Sequence, residues 1–174
     1  MDTKKMLSKV AKELSEDSII NSPKCAVDKI PTLEKDVYRS ATPMLKERFA
    51  KIGSWLDSTH GDWLDIDEMK SFWNNDSQDS RVRSIIHNIE AAIDNWEDDA
   101  ASVFAKNRIS VFAGSQDTDE RIYLVWFDSV NEPELWVYDD NGETRYKDLD
   151  AYLKAYLDDD LSAVDKKWKL AQMK

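Results

Sequence analysis

The segment "ELWVYDDNGETRYKD", residues 134–148, admits few backbone arrangements. Leu135–Tyr138 and Glu143–Tyr146 have strand composition, rich in aromatic and β-branched side chains. Between them, Asn141-Gly142 can supply the positive φ angles of a tight hairpin turn. An isolated hairpin is marginal in water, so this one needs further strands or a covering helix. Both are at hand. Upstream, "RISVFAG" and "RIYLVWF" read as strands. In the second, Ile122, Leu124 and Trp126 face one way, and Tyr123, Val125 and Phe127 face the other. Two apolar faces predict a central strand covered on both sides. Downstream, "DLDAYLKAYLDDD" changes to helical spacing through Leu149, Tyr152, Leu153 and Tyr156, with Asp148 as N-cap.

The N-terminal part is helical in pattern. Met6, Leu7, Val10, Ala11 and Leu14 predict an amphipathic helix over Thr3–Ser15. "SIINSPKCAVDKIP" follows as an irregular connector with two prolines. Thr32 or Thr42 could each cap a helix, Pro43 suits a first helical position, and Leu45, Phe49, Ile52 and Leu56 predict a helix from Pro43 to Ser58. Asp65 and Glu68 form a capping-box start for "IDEMKSFWNN". A long helix is expected from Gln78 to Lys106, burying Val82, Ile85, Ile86, Ile89, Ile93, Trp96 and Ala100. "LSAVDKKWKLAQMK" predicts a last short helix. The expectation is an α+β fold, with an antiparallel sheet of about four or more strands in the C-terminal half packed against N-terminal and C-terminal helices. Residues 1–31 are read as an N-terminal helix and connector, with about the first 25 residues attached as an arm, and 32–174 as a single domain.

Charge narrows the choice of partner. Of the formal net charge of −11, residues 112–160 carry four basic and fourteen acidic groups, a net of −10. A field of this sign repels nucleic acid and anionic membranes and attracts a basic protein. The same acids also serve solubility. Cys25 is the one cysteine, so neither an internal disulfide nor a paired-cysteine zinc site can form. The N-terminus has no apolar signal core and no segment has membrane-spanning length, so the chain is read as cytoplasmic.

Enzyme chemistry finds little support. His60 in "DSTHGD" lies near Ser58, Asp57 and Asp62, but triad groups converge from distant segments, and a loop histidine is the simpler reading. His87, between Ile86 and Ile89, reads as a structural or partly exposed histidine. Asp62, Asp65, Asp67 and Glu68 in "DWLDIDE" lack the ligand order and central glycine of a calcium loop, and Asp158–Asp160 read as a solvated helix end. With four glycines in the chain, there is no phosphate-cradling motif. Neither a metal nor a cofactor is expected. What remains is an acidic, aromatic segment. Trp126 reads as sheet packing. For Trp136 and Tyr138, packing and exposure on an open hairpin face both remain open.

The stretch "ISVFAGSQDTDERIYLVWFDSVNEPELWVYDDNGETRYKDLDAYLKAYL" resembles the C-terminal half of the SUKH superfamily, the fold of cell-wall-assembly regulators and of many bacterial immunity proteins. In that family a "hhhVW" strand leads to an "EPxhWhYD" strand, and a helix with a "FxxLxxYLxxhL" rhythm closes the unit. Here these features fall at Leu124–Phe127, Glu132–Asp139 and Tyr146–Leu157. In the N-terminal half the family's Leu-Pro entry is missing. The resemblance implies a non-enzymatic immunity protein that binds a cognate secreted toxin, often a nuclease, and occludes its basic active-site cleft. The family motif does not fix the contacts. Charge and aromatic placement put the partner-binding residues at Asp128, Glu132, Glu134, Trp136, Tyr138, Asp139, Asp140 and Glu143. The alternatives are an acidic DNA-mimic inhibitor of nucleic-acid-binding proteins, and a small hydrolase using His60.

Overall fold

The computed structural model describes residues 2–94, 105–128 and 131–160. Within them the α+β expectation holds. Helices α1 (Thr3–Glu13), α2 (Pro43–Lys51), α3 (Ile66–Lys70), α4 (Ser80–Ile93) and α5 (Leu149–Leu157) surround a seven-stranded sheet. Its strands are β1 (Ile19–Ile20), β4 (Trp55–Leu56), β5 (Asp62–Trp63), β6 (Ile109–Gly114), β7 (Arg121–Val125), β8 (Glu134–Asp139) and β9 (Gly142–Tyr146), in the order β1-β4-β5-β6-β7-β8-β9. Every neighbouring pair is antiparallel. A separate ribbon pairs β2 (Lys29–Pro31) with β3 (Tyr38–Ser40).

The sheet is covered on both sides, as the two-faced apolar pattern of β7 requires. Gly114, Arg121 and Tyr138 are cross-strand partners on one face. A Cβ at Gly114 would meet Ile85 and Ile89, which places α4 over that face. Ile122, Val137 and Thr144 share the opposite face. There α5 packs on β8 and β9, and α1 and α2 pack on α5. Ile122, Tyr123, Leu124 and Val125 are all fully buried. Trp126 is buried too, and its Nε1 donates to Ser110 Oγ at 3.0 Å.

The first 31 residues are not an appended arm. Met6, Leu7 and Val10 sit in the main core, Thr3 donates to Asp150 on α5, and β1 forms an edge of the sheet. The helical stripe that predicts α1 is therefore spent on the domain itself, because α5 offers a complementary apolar face. The predicted helix from Pro43 to Ser58 ends at Lys51. Ile52 is extended, and Trp55 and Leu56 continue as β4. Gly53 allows the change of direction, with the Ser22 carbonyl oxygen 2.6 Å from where its Cβ would be. The Asp65–Glu68 capping box forms, and Asp148 caps α5 by accepting from the Ala151 N–H at 2.8 Å. The expected burial of Trp96 and Ala100, and the last short helix, lie outside the described residues.

The β8–β9 turn differs from the expected geometry by one position. Asp139 pairs with Gly142, so Asp140 and Asn141 are the central residues. Gly142 takes φ +109°, while Asn141 is not among the positive-φ residues. Asp139 accepts from the Asn141 N–H at 2.8 Å, an Asx turn that removes the need for a left-handed Asn.

Candidate functional site

The pairing row Asp62, Gly114, Arg121, Tyr138, Glu143 runs across β5 to β9 at one end of the sheet. It places three loops side by side: residues 57–61 before β5, 115–120 between β6 and β7, and the Asp140-Asn141 turn. Asp57, Asp117, Asp119, Asp140 and Glu143 are exposed in or beside these loops. The C-terminal end of α5 arrives at the same place, since Asp159 and Asp160 line one cleft with His60 and Asp139. The sheet therefore has one strongly acidic end, with Arg121 near it and stacked over Tyr138 at 4.3 Å.

The predicted partner-binding residues divide between the two ends. Asp139, Asp140, Glu143 and Tyr138 belong to the acidic end. Asp128, Glu132 and Glu134 lie at the other, where the row Ile109, Val125, Glu134 closes the strands. There each is used within the fold. Asp128 binds Arg39 and Arg108, both at 3.2 Å. Glu132 accepts from the Thr42 hydroxyl and from the Met44 N–H at 3.2 Å, at the start of α2. Glu134 binds Arg145 twice, once at 2.6 Å, and accepts from Trp136 Nε1 at 3.1 Å. Trp136 is only 3% exposed and is core, not a surface anchor. Tyr138 is half-buried against Tyr123, with ring centroids 5.6 Å apart across β7–β8. β8 is thus apolar on both faces because helices cover both.

At the acidic end a cleft of about 430 Å³ opens between the β8–β9 hairpin, the loop before β5, and α5. Tyr146, Tyr152 and Tyr156 form its aromatic walls, and Glu13, Asp139, Asp159 and Asp160 supply its carboxylates. Tyr152 is fixed at the base. Its hydroxyl bonds Thr59 and lies 2.7 Å from His60 Nδ1, and its ring meets Tyr146 edge-on at 5.2 Å. Thr59 also accepts from Trp63 Nε1 at 3.1 Å. The other ring nitrogen of His60 is 3.5 Å from Asp139 Oδ2.

This arrangement settles the histidine's electrostatics. Burial pulls the His60 pKa below its ordinary value, against the opposing pull of Asp139 and Glu120. The neutral ring then has one donor and one acceptor nitrogen. The Asp139 carboxylate can only accept, so Nε2–H faces it and Nδ1 is the acceptor nitrogen beside the Tyr152 hydroxyl, whose one proton serves either Nδ1 or Thr59 Oγ1. Burial likewise raises the Tyr146, Tyr152 and Tyr156 phenols, leaving them neutral. Ser58, Asp57 and Asp62, the residues next to His60 in sequence, are not its partners. Asp62 instead binds Arg81 at 2.9 Å and accepts from the Asp57 N–H. Asp139 and Tyr152 are distant in sequence, and only the sheet register brings them to His60.

A second, larger groove of about 620 Å³ runs between α1 and α5, past Met6, Met44 and Leu157. Lys154–Asp158 and Lys147–Asp148 pairs and the Thr3–Asp150 bond take up most of its charges. No group of three or more His, Cys, Asp or Glu side chains is placed to hold a metal ion among the described residues. Among them, no helix is long and apolar enough to cross a membrane. His87 is exposed on α4. Comparison with protein-family models, with curated proteins and with solved structures finds no match to this chain.

Proposed function

We propose that this protein is a non-enzymatic binding protein that neutralises a basic protein partner, and that the partner docks at the acidic end of the sheet. The observation that carries the reading is the convergence of three acidic loops and the α5 terminus at one end of the sheet, beside an aromatic cleft. The carboxylates at the other end are consumed by internal partners. Acidic loops around a concave aromatic site suit a basic cleft, giving steering from the charges and contact energy from the rings. The family resemblance makes the partner a cognate secreted toxin, often a nuclease. A hydrolase reading gains nothing from the geometry, since both nitrogens of His60 face groups of the protein itself.

The test is a binding measurement between this protein and the toxin encoded beside it, together with the toxin's activity. A tight complex that abolishes toxin activity, and that is weakened when Asp117, Asp119 and Asp140 are changed together to Lys, is the expected result. No association, or inhibition untouched by that triple change, overturns it. Equal inhibition of several unrelated basic proteins, lost at moderate salt, would instead indicate a general DNA mimic.

A further inference from the structure

We propose that the tyrosine-walled cleft receives one cationic side chain of the partner, a lysine ammonium or an arginine guanidinium. This rests on the recognition reading above and adds the chemistry of its central contact. The cleft's volume of about 430 Å³ suits an inserted side chain or a short extended segment. Its walls are aromatic. Tyr146 and Tyr156 flank the space, and Tyr152 closes the base with its hydroxyl already bound to Thr59 and His60. Tyrosine faces attract cations through the ring quadrupole, more strongly as water is excluded.

The polar groups point to the same ligand. Glu13, Asp139, Asp159 and Asp160 lie along the cleft, and no Lys or Arg is among its described lining residues. An anionic or neutral polar ligand would meet this field unfavourably. A metal ion would need several carboxylates on one point, and the described residues offer no such group. A cation on a long apolar stem satisfies both parts of the cleft, with methylenes against Val137 and Leu157 and charge toward the carboxylates. The neutral state of His60 removes the one lining group that would repel it.

The experiment is an NMR titration of the full ¹⁵N-labelled chain with Nα-acetyl-arginine methylamide and its lysine counterpart. The uncharged Nα-acetyl-citrulline methylamide, which has nearly the same shape, is the control. Saturable shifts are expected at His60, Asp139 and Tyr156 with the cationic probes and not with citrulline. Tyr156→Leu and Asp139→Asn should each weaken binding by roughly threefold to tenfold, while Tyr156→Phe retains it. Thermal unfolding of each variant separates loss of binding from loss of fold. No saturable shifts, equal shifts with citrulline, or shifts confined to residues 115–120 overturn the cleft proposal. If the toxin still binds at the acidic end in that case, the recognition reading stands and only the cleft's role falls. If the cationic probes enter the cleft but the toxin does not bind, the cleft's specificity stands and the neutralising reading falls.

Discussion

The Tyr152 hydroxyl lies 2.7 Å from His60 Nδ1, joining α5 to the loop before β5 across 92 positions of sequence. Thr59 bonds the same hydroxyl. Tyr152→Phe keeps the buried ring but leaves His60 Nδ1 and Thr59 without it. The expected loss is about 1–2 kcal/mol, read as a lower denaturation midpoint with an unchanged slope. A variant as stable as the parent would show that the three groups do not act together.

The same histidine sets a pH dependence. Burial holds the folded-state pKa of His60 below the value of an unfolded histidine, about 6.5. Between the two values the unfolded chain binds more protons, so stability rises with pH there. The stability is complete above about pH 6.5 and is lost as pH falls through the folded pKa. Chemical denaturation as a function of pH should therefore show a fall below neutrality that His60→Gln reduces. Superimposable profiles for the two proteins would remove His60 as the cause.

The hairpin and α5 were readable from sequence because their signals are local. Turn chemistry sits at Asn141-Gly142, and Asp148 stands one residue before an apolar helical rhythm. β4 was not readable: Leu56 continues the stripe of Leu45, Phe49 and Ile52, and only tertiary pairing with β1 and β5 extends the chain at Trp55. The site was half-legible. Acidic and aromatic composition marked the right region, and sequence singled out both Asp139 and His60. It gave no sign that they meet, since that depends on the register of four strands. Nor can composition show which acids have partners. Arg39, Arg108 and Arg145 reach Asp128 and Glu134 from other strands or loops, and they turn an apparent surface into internal ties.

Gly61 tests how tightly that loop is set. It has φ +80°, and a Cβ there would lie 2.6 Å from the backbone carbon of Gly114. Backbone cannot yield as a flexible side chain does. Gly61→Ala should cost roughly 2 kcal/mol or more. It should also disturb the neighbouring His60 signals in an NMR spectrum. An unperturbed, fully stable variant would contradict the close approach of this loop to the end of β6.

Arg81, near the start of α4, bonds Asp62 at 2.9 Å and Glu68 on α3, with its side chain 13% exposed. Arg81→Met retains bulk but leaves two largely buried carboxylates without their cation. A loss of about 3 kcal/mol is expected at neutral pH. Part of it should return in acid, where Glu68, its pKa raised by burial, becomes neutral. A loss that does not depend on pH would assign the effect to packing.

The division of acids between the two ends of the sheet predicts two opposite phenotypes. Glu132 holds the first turn of α2 through Met44 N–H and the Thr42 hydroxyl. Glu132→Ala should lower stability by about 1 kcal/mol, as the loss of a helix cap does. It should leave the association rate with the proposed partner unchanged. Asp140 is exposed at the tip of the β8–β9 turn. Asp140→Lys should leave stability within about 0.5 kcal/mol of the parent. It should slow association with the proposed basic partner, most at low salt, because an exposed charge acts through the long-range field and is screened by ions. Stopped-flow association rates at two ionic strengths, with denaturation midpoints for the same proteins, separate the cases. If Glu132→Ala slows association while Asp140→Lys does not, the docking surface lies at the other end of the sheet.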